Sequence, residues 1–136
     1  MKHIHPIQIR FADTDALGHL NNSAYVLYIE SARVGFLVDI GMEVTSLVLA
    51  RLEIDYRLQA KFDAHASFTD PARGMVVESQ VEKIGNTSIT LIQRVVWKGK
   101  IAAQVKTVVV NFDYSTGAPA PVSEKSRSLL ERYLVG

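Results

Sequence analysis

The sequence predicts an α+β domain in which an antiparallel sheet of about five strands wraps around one long central helix, with a short helix at the C-terminus. Three observations carry that expectation. Residues 23–40 contain no proline, and Glu30, Arg33 and Asp39 are their only charges, so a helix formed there must be buried over much of its surface. Several other segments alternate apolar and polar residues with the period of two that marks half-buried strands. Two glycine-containing turns, Gly85-Asn86 and Lys98-Gly99-Lys100, separate the last three such segments at hairpin spacing.

In chain order, Ile7, Ile9 and Phe11 alternate with Gln8 and Arg10, giving a first strand that begins at Pro6 and ends near Asp13. Asn21 and Asn22 offer caps to the helix and Gly41 its stop. At 1.5 Å per residue this helix is roughly 27 Å long. Leu52, Ile54, Tyr56 and Leu58 alternate with Arg51, Glu53, Asp55 and Arg57 in the clearest strand of the chain. A connection rich in small and polar residues covers 59–71, and strands follow at about 74–84, 87–98 and 101–113. Residues 116–121 break the last strand. Ser123 then caps a short helix with Leu130, Tyr133 and Leu134 on one face, read as a lid on an edge of the domain.

A chain of 136 residues with 48% hydrophobic content suits a single domain spanning 1–136. Its 15 Lys and Arg against 14 Asp and Glu leave a net charge of +1, too small a field to gather nucleic acid or an anionic membrane. Neither is an expected partner. The absence of cysteine excludes disulfide and thiolate chemistry and fits a reducing compartment. With no apolar signal-like start and no run near the ~18 apolar residues of a membrane span, the expected location is the cytoplasm.

The chemistry-bearing stretch is Phe11-Ala12-Asp13-Thr14-Asp15-Ala16-Leu17-Gly18-His19-Leu20-Asn21-Asn22. It sets two carboxylates, an imidazole and a glycine turn just before a helix N-terminus, where unpaired N–H groups and the macrodipole favour negative charge. A developing oxyanion would be stabilised there. On residue types alone, Asp13 and Asp15 read equally as turn and capping residues, and a lone loop histidine such as His19 reads as a structural hydrogen-bonding group. Asp13, Asp15 and His19 lack a further ligand at metal spacing, so no metal site is assigned. Glu30 and Arg33 are spaced for an ion pair on one helix face, and Tyr25 and Tyr28 read as core or interface. His3, His5 and His65 have no partner recognisable from sequence.

The pattern Asp13-Thr14-Asp15-x-x-Gly18-His19-x-Asn21-Asn22-x-x-Tyr25-x-x-Tyr28-x-Glu30-x-x-Arg33 resembles the hot-dog-fold acyl-CoA thioesterases related to 4-hydroxybenzoyl-CoA thioesterase. The likeness extends through Ile54-Asp55-Tyr56 and the strands up to Asp113. It implies hydrolysis of an acyl-CoA thioester, with Asp15 as nucleophile or as general base for water. It further implies that the Asn22 N–H polarises the carbonyl, that Gly18 turns the chain close to the substrate and that His19 supports the site. Asp13 would hold Asp15 in place. Tyr25 would contact the substrate, Glu30 would lie near the acyl group of a neighbouring site, and Lys83, Asn86, Thr87 and Ser88 near the CoA phosphates, although Asn86 stands where many relatives carry a basic residue. The resemblance implies sites shared between protomers of a homodimer or tetramer, and no cofactor beyond the coenzyme A of the substrate.

Two other functions compete. An enoyl-thioester hydratase of the same fold typically has Asp and His separated by four residues with an Asn among them, whereas Asp15 and His19 are separated by three, with no Asn. A non-catalytic acyl-thioester binding module would use Asp15 only as a cap. Acyl chain length, aromatic against aliphatic preference and CoA against carrier-protein esters are not encoded in any motif.

Overall fold

The computed structural model describes all residues, Met1–Gly136. The elements are β1 (His3–Ile7), α1 (Asn22–Asp39), β2 (Leu47–Tyr56), β3 (Met75–Ile84), β4 (Ser88–Trp97), β5 (Lys100–Asp113), β6 (Ala118–Pro119) and α2 (Glu124–Glu131). The sheet order is β1-β3-β4-β5-β2, antiparallel throughout, and the two-residue β6 pairs with β5. β1 and β2 occupy opposite edges, so α1 carries the chain across one face of the sheet between them.

Register shifts at Leu49/Arg51, Val81/Lys83 and Val95/Val96 place irregularities in three neighbouring ladders. Such bulges bend and twist strands, which lets the sheet curl around the helix. β1 and α1 meet closely at Gly35: a Cβ there would come 2.8 Å from His5 Nδ1, so a larger residue would require the His5 ring to move. The core divides along α1 into one cluster around Tyr25, Tyr28 and Ile29 and another around Phe36 and Leu37.

Four expectations need correction. The first strand is His3–Ile7, and Phe11–Asp13 form a 3-10 turn instead of its end. Local bonds decide this: Arg10 N–H donates to Asp13 Oδ2 at 3.1 Å and the Thr14 hydroxyl to Phe11 O at 2.7 Å, alternatives to a ladder that short polar side chains offer. β2 begins at Leu47, its alternation hidden upstream by the bulge. Asn21 is the cap of α1, accepting from Ser23 N–H at 3.3 Å, and Asn22 is the first helical residue. Finally, α1 is covered on one side only: Ile29, Ala32 and Phe36 are fully buried, while Leu27, Val34 and Val38 face solvent.

Candidate functional site

Residues 13–21 form a small hairpin. Asn21 N–H donates to Asp13 O at 2.9 Å, Asp15 N–H to His19 O at 2.8 Å and Gly18 N–H to Asp15 O at 3.1 Å. Gly18 has φ +76, a left-handed conformation that glycine adopts at no steric cost. Leu20, 4% exposed, anchors the hairpin in the core. The 58–62 segment runs alongside it: Leu20 N–H donates to Ala60 O at 2.7 Å, Phe62 N–H to Gly18 O at 3.3 Å, and His19 and Lys61 form a bridge.

Within this frame the two carboxylates differ. Asp15 is exposed. Its Oδ1 accepts from Leu17 N–H at 2.9 Å and His19 N–H at 3.2 Å, while Oδ2 has no protein partner. Asp13 is 7% exposed and saturated: it accepts from Arg10 N–H, from the Arg10 guanidinium at 2.9 Å and from the Tyr28 hydroxyl. Burial pushes the Asp13 carboxyl up, but the hydrogen bonds from Arg10 and Tyr28 outweigh it and hold the group below its ordinary value. The Tyr28 hydroxyl is driven well above the usual tyrosine range by burial and by the neighbouring Asp13. Asp13 is therefore a fixed anion that ties the start of the hairpin to α1.

The Asn22 N–H stands at the first position of α1 and has no acceptor within the chain, as helix geometry requires of initial N–H groups. Its carbonyl accepts from the Tyr56 hydroxyl at 3.2 Å, and the Tyr56 ring meets Tyr25 edge to face at 5.4 Å. A cavity of about 320 Å³ opens here, lined by Leu20, Asn22, Tyr25, Tyr56, Arg57 and Gln59 among others.

The structure thus gathers Asp13, Asp15, Gly18, His19 and Asn22 into one loop at the N-terminus of α1. His19 is half-buried and its imidazole makes no hydrogen bond. Tyr25 is 2% exposed, and its hydroxyl donates to Leu58 O at 3.2 Å and accepts from Ala60 N–H at 3.1 Å, leaving no polar group for a ligand. It positions the 58–60 segment. Glu30 lies two helical turns onward, exposed, 4.0 Å from Arg33 Nη2. Lys83, Asn86, Thr87 and Ser88 lie near the opposite end of β3 from Met75, which packs in the Leu20 cluster, roughly 30 Å away at ~3.3 Å per strand residue. There the Asn86 and Thr87 carbonyls accept from Val122 and Asn111 N–H. One chain does not bring this hairpin to Asp15. No group of three or more His, Cys, Asp or Glu side chains is placed to hold a metal ion, and no helix is long and apolar enough to cross a membrane.

Sequence reasoning missed Arg10, which stands three residues before Asp13 and donates to its carboxylate from both its backbone N–H and its guanidinium. It also assigned no site role to Tyr56, whose link to Asn22 depends on how β2 packs beside α1.

The model for the thioesterase-like superfamily matches residues 9–130. A predicted thioesterase from Bacillus stearothermophilus superposes with a TM-score of 0.83 at 27% identity, over 99% of this chain and 98% of that one. A thioesterase from Thermus thermophilus, solved with coenzyme A and Zn, superposes with a TM-score of 0.78 at 27% identity, over 96% and 92%. The uncharacterized protein YsmA of Bacillus subtilis (strain 168) is 26% identical over 89 residues, 62% of this chain, and the match spans 54% of that relative's length.

Proposed function

The chain belongs to the thioesterase-like superfamily of the hot-dog fold, and from that premise we propose that it hydrolyses acyl-CoA thioesters to the free acid and coenzyme A. The observation that carries this reading is that the hairpin and the helix start that follows it carry both the free Oδ2 of Asp15 and the unpartnered N–H of Asn22. In this reading the thioester carbonyl oxygen receives the Asn22 N–H, and the macrodipole of α1 stabilises the oxyanion as it forms. Asp15 either attacks the carbonyl carbon, expelling CoA thiolate and leaving a mixed anhydride that water cleaves, or takes a proton from the water that attacks. Gly18 and the two N–H groups on Oδ1 fix the carboxylate. Asp13, held by Arg10 and Tyr28, fixes the hairpin. No cofactor enters beyond the substrate's own coenzyme A.

The working form in this proposal is a homodimer or a larger homo-oligomer. Exposed Leu27, Val34 and Val38 on α1 and exposed Val48 and Leu49 on the edge strand β2 support it, because an apolar helix face beside an open sheet edge invites covering. A second protomer would also supply the Lys83–Ser88 hairpin that one chain keeps away from its own Asp15. A cytoplasmic location is in keeping with the cysteine-free composition.

A binding module remains the competing reading, since Asp15 Oδ1 does cap two N–H groups. Thiol release from a panel of acyl-CoA and acyl-carrier-protein esters, run beside hydration of an enoyl-CoA, separates the readings. Release of thiol with turnover supports hydrolysis. Binding without release leaves the module, and hydration without release leaves the hydratase.

A further inference from the structure

The first turn of a helix is prone to fraying, because its N–H groups lack intrahelical partners. Asn22 stands in that turn with few local ties. Leu20 and Asn21 before it are held by their own N–H groups, which donate to Ala60 O at 2.7 Å and to Asp13 O at 2.9 Å. The Asn22 N–H is unpartnered and the residue is exposed. The Asn21 cap reaches past it, accepting from Ser23 N–H at 3.3 Å. What ties Asn22 to the rest of the fold is its carbonyl, which accepts from the Tyr56 hydroxyl at 3.2 Å.

Tyr56 rests on a rigid base. It ends β2 opposite the fully buried Ala103, and the Arg57 and Leu58 N–H groups that follow both donate to Ala102 O, at 2.8 and 3.1 Å. Its ring meets the Tyr25 ring at 5.4 Å and 83°. Tyr25 is itself fixed, because its hydroxyl bonds Leu58 O and Ala60 N–H. Tyr56 is nonetheless 44% exposed and lines the cavity that opens over Asn22. A hydroxyl bond that water can replace adds little to stability. Position is what this one supplies.

We propose, taking the thioesterase reading of the Asp15 hairpin as given, that Tyr56 is a positioning residue for the oxyanion donor, holding the first residue of α1 so that the Asn22 N–H is aimed before the thioester arrives. The tethered carbonyl and the N–H belong to one residue and are joined through its Cα, so fixing the first limits the swing of the second. A donor fixed in advance stabilises developing charge with no reorganisation at the moment of reaction. One that wanders must be gathered in the transition state, so its loss of order falls on kcat and leaves substrate binding alone.

Tyr56→Phe keeps the ring and its contact with Tyr25 and removes only the hydroxyl. The test measures kcat and KM on the best acyl-CoA, thermal melts and the backbone amide order parameter of Asn22 in wild type and Tyr56→Phe, with the kinetics repeated in Asn22→Ala and Asn22→Pro backgrounds. Tyr56→Phe is expected to melt near wild type and keep its KM, while kcat falls about tenfold, a part of the ~100-fold lost with the donor itself. The same fall is expected on top of Asn22→Ala, which retains the N–H. No further fall is expected on top of Asn22→Pro, which keeps the carbonyl but has no N–H to aim. The Asn22 order parameter should drop from the ~0.85 of rigid backbone toward ~0.6.

An unchanged kcat, an equal fall in the Asn22→Pro background or an unaltered order parameter overturns the assignment and leaves the thioesterase reading intact. A Tyr56→Phe chain that does not fold makes the hydroxyl structural and overturns it as well. A wild type inactive on every ester overturns the thioesterase reading and this assignment with it. Should Asn22→Pro fail to fold, the order parameter and the division of the effect between kcat and KM decide.

Discussion

The two ends of α1 are finished in opposite ways. At its C-terminal end Phe36, Leu37, Met42, Val122 and Leu130 close an apolar cluster, with α2 laid over it and the His3 ring against Phe36. At its N-terminal end the core includes two tyrosines, and the carboxylate of Asp13 is buried among them, while the first N–H of the helix is left without a partner. The apolar end contributes stability that needs no particular geometry beyond good packing. The polar end holds groups in place through directional bonds to Asp13, Asp15 and the Tyr25 hydroxyl. One helix therefore joins a region built for cohesion to a region built for position.

Substitutions at each end sharpen or break that contrast. Leu130 is fully buried in the apolar end, so Leu130→Ala should cost about 2–5 kcal/mol, read as a lower urea midpoint, with turnover per folded molecule at 25 °C unchanged. Loss of turnover in the folded variant would show that the ends are coupled.

At the other end, Asn22 permits a clean removal of one N–H. Proline is tolerated at the first helical position, and Asn21 already has the extended conformation, φ −66 and ψ 139, that precedes proline comfortably. Asn22→Pro should therefore melt near wild type while kcat falls about 100-fold, the loss typical of one oxyanion donor. Asn22→Ala keeps the N–H and should retain nearly full turnover. Equal activity in the two variants would remove the Asn22 N–H from the reaction.

Asp13→Asn should cost about 1–3 kcal/mol, since Tyr28 loses an ionic acceptor in a buried setting. Its pH dependence has a definite sign. The folded-state carboxyl is held below its ordinary 3.8, so the native state binds this proton less readily than the unfolded chain. The stabilisation is complete above the unfolded value and is lost as pH falls through the depressed folded value. Melting temperatures of wild type and Asp13→Asn should accordingly differ at neutral pH, and the gap should begin to close only as pH falls below the ordinary 3.8. A gap independent of pH would mean that Asp13 acts through shape alone.

Much of this architecture was legible because its signals are periodic. The apolar run that becomes α1, the alternation from Leu52 to Tyr56 and the two hairpin turns each report on neighbours in the chain. The order of the last three strands follows from turns that leave them no other partner. What stayed hidden depends on contacts distant in sequence or on local bonds that override a pattern. The alternation of Ile7, Ile9 and Phe11 is real, yet Arg10 and Asp13 draw Phe11 into a turn. The Asp13–Tyr28 bond needs the hairpin folded back onto α1, and the Tyr56–Asn22 bond needs β2 packed beside that helix. The loop from Asp13 to Asn22 was readable as a unit through its resemblance to a family. The opposite fates of its two carboxylates, one saturated and one half free, required the fold.

The central claim is that Asp15 acts on the thioester and does not only shape the turn. Steady-state hydrolysis of the best acyl-CoA by wild type and Asp15→Asn, beside thermal melts of both, tests it most directly. Asn keeps an oxygen for the Leu17 and His19 N–H groups but loses the charge and the basicity. The account predicts a melting temperature close to wild type and turnover reduced by at least ~100-fold with substrate binding largely retained. Near-normal turnover in a folded Asp15→Asn would contradict it, and would move the search for the reacting carboxylate to Glu30.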